Sequence, residues 1–318
     1  MEPDNARELK ARILALLPTH PFAQRSAGSR MPWVAVGLAP ADGGRARVAV
    51  RLEDAADREL LPALGAAAER EIEVRVIGPV RALSSPDPKA LQQRVRPLRP
   101  GLSVAHPSVT AGTLGGFVRT PSGIAILSNN HVLAASDAGL AGDPVLQPGP
   151  ADAGLMADRV AALSAFVRLR DDRPNAVDAA VAVLEDGVGF EPGDLPGGPL
   201  ADTVPDGLDV DPDEAVEKVG RTTGHTSGRV SAVEVDGVAV QYDRGVHRFD
   251  DQIEIEGDAG PFSAGGDSGS VIWRSRDRAP VALLFAGSTQ GGHTGAGVTF
   301  ANPLATVLRG LGAEWLSG

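Results

Sequence analysis

The 318-residue sequence contains no cysteine. No disulfide can staple it, which sets it apart from disulfide-dense secreted scaffolds and agrees with a reducing compartment such as the cytoplasm. Long apolar runs are also missing. Ile13-Leu14-Ala15-Leu16-Leu17 follows acidic residues, ends at Pro18 and is too short for the apolar region of a secretory signal. Nothing approaches the ~20 apolar residues that a spanning helix needs, so neither a signal peptide nor a membrane partner is expected. Positive charge is scarce: the formal net charge is −11. The first hundred residues are net basic and the remainder strongly acidic. An acidic body argues against nucleic acid as a partner. The asymmetry fits two domains with different surfaces, or two parts drawn together by charge.

Metal-binding patterns are lacking too. His247 and His293 have no histidine or cysteine neighbours at ligand spacing, so no zinc is expected. Asp209-x-Asp211-x-Asp213 hints at a calcium loop, but loop position six is not glycine and position twelve is Gly220 instead of glutamate. Pro212-Asp213-Glu214 reads equally as a helix start. No metal and no cofactor is expected.

With 42% hydrophobic and 22% charged residues, the chain reads as globular, with room for one large or two moderate domains. Residues 4–17 carry Leu9, Ile13, Leu16 and Leu17 on one helical face. Trp33 to Leu38 and Arg45 to Leu52 read as strands around an Asp42-Gly43-Gly44 hairpin signal. Ala56 to Ala67 reads as a helix, and Glu71 to Ile77 alternates like a half-buried strand. These elements make an N-terminal α+β domain over residues 1–83, of unreadable role. Residues 84–100, rich in proline and arginine, read as a linker: a solvated basic connector or a cleavable hinge. From residue 101 onward, short apolar strands alternate with Gly, Pro and Asp turns, as antiparallel barrels do. The first barrel is expected over 101–190, a connector over 191–214, a second barrel over 215–300, and a closing helix over 303–317 with Leu304, Val307, Leu308, Leu311 and Trp315 inward.

Three segments carry chemistry. Gly265-Gly266-Asp267-Ser268-Gly269-Ser270 stands just before the apolar strand Val271-Ile272-Trp273. A serine flanked by glycines at such a turn suits a nucleophile with an exposed hydroxyl and free amides beside it. A plain glycine turn would look similar. Ile124 to Ser128 forms an apolar strand that ends at Asn129-Asn130-His131. Asp178 enters the apolar run Ala176 to Leu184 as a lone carboxylate, where an unpaired charge would be costly, so it needs a partner such as an imidazolium.

With these residues in the order His131, Asp178, Ser268, the chain resembles trypsin/chymotrypsin-fold serine peptidases, the two-barrel clan. Val219-Gly220-Arg221-Thr222-Thr223-Gly224, followed by Thr226-Ser227-Gly228-Arg229-Val230, is similar to the GRTTG strand-turn that opens the second barrel in bacterial members of alpha-lytic type. Residues 100–133, with His106-Pro107, Gly112-Thr113-Leu114-Gly115 and Ser128-Asn129-Asn130-His131, resemble a cytosolic subgroup that includes the plant narrow-leaf protease. The likeness covers roughly residues 100–318. Ser128-Asn129-Asn130-His131 replaces the common alanine-alanine-histidine-cysteine, and Ser270 stands where many members have a second glycine.

The resemblance implies a mainly β, chymotrypsin-like double antiparallel β-barrel with a small N-terminal α+β domain and a C-terminal helix. It implies Ser268 as nucleophile, His131 as general base and acid, Asp178 as the group orienting His131, and the amides of Gly266 and Ser268 as oxyanion hole. Asp267 is expected to hold the loop through a partner the sequence does not identify. By the same layout Phe262 lies at the base of the substrate pocket, Ala286-Gly287-Ser288 forms its wall, and His225 lies near the cleft. With Phe262 in place of an acid, a small or apolar residue is expected before the scissile bond. His106 reads as structural. The leading expectation is a serine endopeptidase acting on protein or peptide substrates. Alternatives are a protease-fold scaffold with little turnover, a peptidase that mainly cleaves itself near Arg94 to Pro100, and a serine esterase. The subgroup likeness is compatible with a homo-oligomer.

Overall fold

The computed structural model describes residues 1–17, 34–41, 44–61, 70–78, 80, 90–205, 210–243 and 245–318. The fold is mainly β, a chymotrypsin-like pair of antiparallel barrels. Among the described residues, no helix is long and apolar enough to cross a membrane.

The N-terminal elements are α1 (Pro3–Leu16), β1 (Val34–Ala41), β2 (Arg45–Leu52) and β3 (Ile72–Val76). In α1, Ala6, Leu9 and Ile13 recur at helical spacing and are buried, and Pro3 occupies the helix start, where its missing N–H costs nothing. Of the expected helix 56–67, residues 55–60 form a 3-10 turn capped by Asp54, whose carboxylate accepts from Ala56 N at 2.9 Å. Residues 62–69, like most of the Asp42-Gly43-Gly44 turn, lie outside the described residues.

The first barrel is built from β4 (Ser103–Val104), β5 (Gly112–Thr113), β6 (Gly116–Thr120), β7 (Gly123–Ser128), β8 (Pro144–Leu146), β9 (Arg159–Phe166) and β10 (Ala180–Leu184), with the one-turn helix α2 (Asn130–Leu133) after β7. β6 to β10 form one antiparallel sheet in the order β6-β7-β10-β9-β8. Its core includes Leu102, Phe117, Ile126, Val145, Leu163 and Ala182.

The second barrel uses β11 (Ala215–Gly220), β12 (Gly224–Asp236), β15 (Gln252–Gly257), β16 (Val271–Arg274), β17 (Pro280–Gly287) and β18 (Thr299–Pro303), with the hairpin β13 (Val238–Tyr242) and β14 (Gly245–Phe249) between β12 and β15. The order β11-β16-β17-β18-β15-β12, with β11 also pairing β12, closes the ring.

The N-terminal strands form no sheet of their own. β12 is 13 residues long and outruns β11, whose pairing stops at Arg229. β1 docks on the remaining edge, with Val36 opposite Asp236 and Leu38 opposite Val233, and β2 and β3 follow. Leu9, Ile13, Leu38, Val48 and Val50 share one apolar core with Val230, Ile253, Ile255 and Phe262. Across this junction Arg51 meets Glu254 through Nε at 2.9 Å, with both side chains fully buried. Of the expected linker, residues 84–89 lie outside the described residues, and 90–100 are built into the first barrel. Leu98 is buried, its N–H donates to Gly189 O at 2.8 Å and its carbonyl accepts from Glu191 N at 2.7 Å.

The closing helix is shorter than expected. α3 spans Leu304–Leu311 and ends at Gly312, whose φ of +59° is the left-handed conformation that stops helices. The chain then forms β19 (Glu314–Leu316), which pairs with β6 of the first barrel. Trp315 lies over Gly116, where a Cβ would come within 2.5 Å of its ring. Trp315 falls four residues after Leu311, so its apolar character matched the helical spacing although it belongs to a strand.

Candidate active site

Strand register brings the first pair together. Ser128, the last residue of β7, lies opposite Ala180, the first of β10. The residues just beyond, His131 in α2 and Asp178 before β10, therefore leave the same end of the sheet side by side. His131 Nδ1 and Asp178 Oδ2 are 2.6 Å apart, and His131 N donates to Asp178 Oδ1 at 3.2 Å. A carboxylate only accepts, so Nδ1 carries a hydrogen, which leaves Nε2 as the ring nitrogen that can give up or take a proton. Nε2 is buried with no hydrogen-bond partner among the described residues.

Asp178 is fully buried. Its amide donates to Asn302 Oδ1 at 2.9 Å, and Asn129 Nδ2 donates to its carbonyl at 2.7 Å. A further partner reaches Oδ2: the hydroxyl of Tyr242, at the end of β13, donates at 2.7 Å. The Tyr242 ring also stands edge-on to His131 at 5.6 Å. Burial pushes the Asp178 carboxyl upward, but the charge and hydrogen bonds of His131, with the Tyr242 hydroxyl, outweigh it and hold the pKa below the ordinary value. Burial, and then the Asp178 charge, push Tyr242 well above the usual phenol range, so it remains a donor.

Ser268 comes from the other barrel. Thr113 N donates to Ser268 O at 2.8 Å, and Thr113 Oγ1 donates to Gly266 O at 2.8 Å. Thr222 Oγ1 donates to Gly265 O at 2.6 Å. With these carbonyls held by neighbours, Gly266 N and Ser268 N are left donating to no described residue. Gly266 has a φ of +92°, and a Cβ there would lie 2.3 Å from Arg221 Nη1.

The partner of Asp267 is now visible. Its carboxylate meets Lys218 Nζ at 3.2 Å, with both side chains fully buried. It also accepts from Thr222 N at 2.8 Å, Thr223 Oγ1 at 2.7 Å and Ala264 N at 2.9 Å. The Gly-Arg-Thr-Thr-Gly strand-turn is thus the cradle of this loop. Gly220 must be glycine because a Cβ would lie 2.3 Å from Asp267 Oδ1. Arg221 reaches back to the first barrel, with Nε 2.7 Å from Asp152 Oδ2.

One expectation is corrected. The Ser268 hydroxyl was expected to be exposed, but the residue is fully buried. Its Oγ donates to Phe285 O on β17 at 3.5 Å, and no hydrogen bond joins it to His131. Flanking glycines indicate a turn; they do not report what packs over it.

The other candidates are dispersed around this centre. Ala286 and Gly287 follow Phe285 on β17, and Ser288 follows them, its N–H donating to Val298 O at 2.8 Å. Phe262 is buried in the second-barrel core, against Gly228 and with Lys218 Nζ 5.8 Å from its ring centre. His225 pairs with Glu217 at 2.7 Å and stacks on Trp273 at 5.9 Å, away from His131, Asp178 and Ser268. His106 bonds Ser108 and Asp143. A cavity of about 1040 Å³ opens elsewhere, lined by residues that include Arg7, Arg47, Arg75, Glu256 and His293 but not His131, Asp178 or Ser268. Among the described residues, no group of three or more His, Asp or Glu could hold a metal ion; Asp209 lies outside them.

The sequence matches no family profile and no curated protein. Several solved structures are similar in fold. Protease A of Thermobifida fusca is 16% identical, with a TM-score of 0.47 over 70% of this chain and 100% of its own. A glutamic acid-specific serine protease is 17% identical, with a TM-score of 0.49 over 69% and 100%. The chymotrypsin of Cellulomonas bogoriensis is 18% identical, with a TM-score of 0.45 over 70% and 100%.

Proposed function

We propose that the chain is a serine endopeptidase that hydrolyses peptide bonds through His131, Asp178 and Ser268. The observation that carries this reading is the state of His131. Its Nδ1 is fixed by a buried carboxylate, while its buried Nε2 has no hydrogen-bond partner among the described residues. Ser268 Oγ would attack the substrate carbonyl as Nε2 takes its proton. The N–H groups of Gly266 and Ser268 would accept the developing oxyanion as hydrogen-bond donors, each worth about 2.7–4 kcal/mol in the transition state. His131 would then protonate the leaving amine, and water would release the acyl group by the reverse sequence. Hydrogen bonds to such a nucleophile often close only with substrate bound. The absence of cysteine supports work in the cytoplasm. Phe262 in place of an acid supports cleavage after small or apolar residues; a peptide-library digest that cuts chiefly after Arg or Lys overturns that part.

A second reading is a protease-fold scaffold with little turnover. The full burial of Ser268 and the turn of its Oγ toward Phe285 O favour it. Labelling by a fluorophosphonate, with casein cleavage alongside, separates the two. Labelling and cleavage by wild type that vanish in Ser268→Ala support the peptidase. An intact, folded wild type that neither labels nor cleaves supports the scaffold.

A further inference from the structure

The strand that passes Ser268 leads into a glycine-rich loop. β17 runs past Ser268 at Phe285 and ends at Gly287, and residues 288–298 then return to β18. Gly291, Gly292, Gly295 and Gly297 all adopt positive φ, and glycine gives up the most freedom when ordered. Within the loop, Gly297 N donates to Gly291 O at 3.0 Å and Ser288 Oγ to Gln290 O at 2.6 Å.

Its ends are tied by Ser288 N to Val298 O at 2.8 Å and Val298 N to Ser288 Oγ at 3.3 Å. Its middle is tied by Gly295 N to Gly292 O and Ala296 N to Thr294 Oγ1, both at 3.4 Å, and further anchors come from outside. His293 N and Nδ1 both reach Glu256 Oε2 on β15, the ring atom at 3.0 Å. Glu256 is in turn paired through Oε1 with Arg75 of β3. Arg75 Nη2 lies 3.2 Å from His293 Nε2, so one guanidinium touches both members of the pair. Arg75 is itself fixed by Glu73 at 2.9 Å, and Glu73 by Arg51 at 3.1 Å. Burial pushes Glu256 up, but the His293 amide and the Arg75 charge outweigh it and hold it below the ordinary carboxylate range. Two residues on, the backbone closes in as well. A Cβ on Gly291 would lie 2.8 Å from Ile77 Cα. Ile77 is fully buried in the same apolar cluster as Phe285, Ala286, Val298 and Phe300.

We infer that the N-terminal strands are a positioning part of the substrate site. Arg75, through the Glu256–His293 pair, holds loop 288–298 and with it segment 286–288, along which a substrate chain would lie. Altering this brace changes substrate binding and leaves the reacting groups intact. This inference rests on the peptidase reading for its effect on substrate, while the brace itself is independent of it.

The test uses the full chain with Arg75→Ala, Arg75→Lys and His293→Ala. His293 has an exposed side chain, so its truncation leaves the fold standing even if an Arg75 variant does not. Three quantities are read: hydrogen exchange of the amides in 286–298, the rate of fluorophosphonate labelling, and KM for a fluorogenic peptide. The brace predicts that exchange in 286–298 speeds at least tenfold in Arg75→Ala and His293→Ala. KM rises at least fivefold while the labelling rate stays within twofold of wild type, and Arg75→Lys recovers part of both losses. Unchanged exchange in His293→Ala overturns the brace. Faster exchange with unchanged KM overturns its role in substrate binding, as does a labelling rate that falls in step with kcat/KM. If wild type neither labels nor cleaves, the peptidase reading fails, and with it the substrate role. Exchange alone then decides whether the brace stands.

Discussion

Replacing Tyr242 with phenylalanine removes one oxygen atom from the candidate site and nothing else. The ring keeps its edge-on contact with His131 and its packing on Phe249 at 6.3 Å. Lost is the 2.7 Å hydrogen bond to Asp178 Oδ2. Hydrogen bonds to charged groups are worth about 1.5–3 kcal/mol net. Asp178 Oδ2 keeps His131 Nδ1 at 2.6 Å and is not orphaned, which favours the low end of that range. Domains of 150–250 residues lose roughly 2–4 °C of Tm per kcal/mol, so a drop of roughly 3–6 °C is expected, less if the larger chain scales further. The kinetic effect has a ceiling. If the whole bond served only the transition state, about 1.5–3 kcal/mol would slow acylation by roughly 10- to 150-fold. Much of it already exists in the ground state, so the slowing falls below that ceiling. Scanning calorimetry and stopped-time fluorophosphonate labelling measure the two effects. A Tm within 1 °C of wild type, together with a labelling rate within twofold, would refute the assignment of Tyr242 as the support of Asp178. A Tm drop alone would make it a structural residue only.

Lys218→Met strands the Asp267 carboxylate in a fully buried site, and breaking such a pair costs about 3–5 kcal/mol. Calorimetry should show a large fall in Tm, partly restored in Lys218→Met/Asp267→Asn; a fall under about 2 °C contradicts the pairing. Gly220→Ala forces a methyl group against an Asp267 oxygen that two backbone N–H groups, of Thr222 and Thr223, hold in place, so about 1–3 kcal/mol of stability and most labelling should go together; wild-type labelling would show that the loop can yield. The folded-state pKa of Asp178 is depressed, so its contribution is present above the unfolded value of about 3.9 and disappears as pH falls through the folded value. The stability advantage of wild type over Asp178→Asn, read by urea titration, should therefore shrink below about pH 4; an advantage that grows toward acid reverses the sign of the argument.

Much of the site was legible because its residues break local rules. Asp178 stood out as a lone charge in an apolar run, and Ser268 as a serine among glycines. Lys218 did not stand out in the same way, because Glu217 beside it makes the pair read as an exposed step on the strand, although the strand is buried at 218. Tyr242 breaks no rule, since a tyrosine ends an alternating strand without comment; the one available signal was that it is the only tyrosine in the chain. Strand positions in the N-terminal part were readable from alternation, but their destination was not. Docking of β1 depends on β12 being longer than its neighbour β11, and edge length is settled by pairing far away in sequence. The C-terminal helix was overextended because Trp315 fits a helical face as well as a strand, and only the backbone of Gly312 separates the two.

The overhang of β12 also sets an order of events during synthesis. Arg51 and its partner Glu254 are 203 residues apart, and β1 waits for an edge made nearly as late. At about 5–20 residues per second, the first strands spend on the order of ten to forty seconds without their sheet. Over that interval β1 and β2 carry Val36, Leu38, Val48 and Val50 with no core to enter. Strands made well before the second barrel are therefore among the last to fold, and the nascent chain depends on holding them soluble until that barrel arrives.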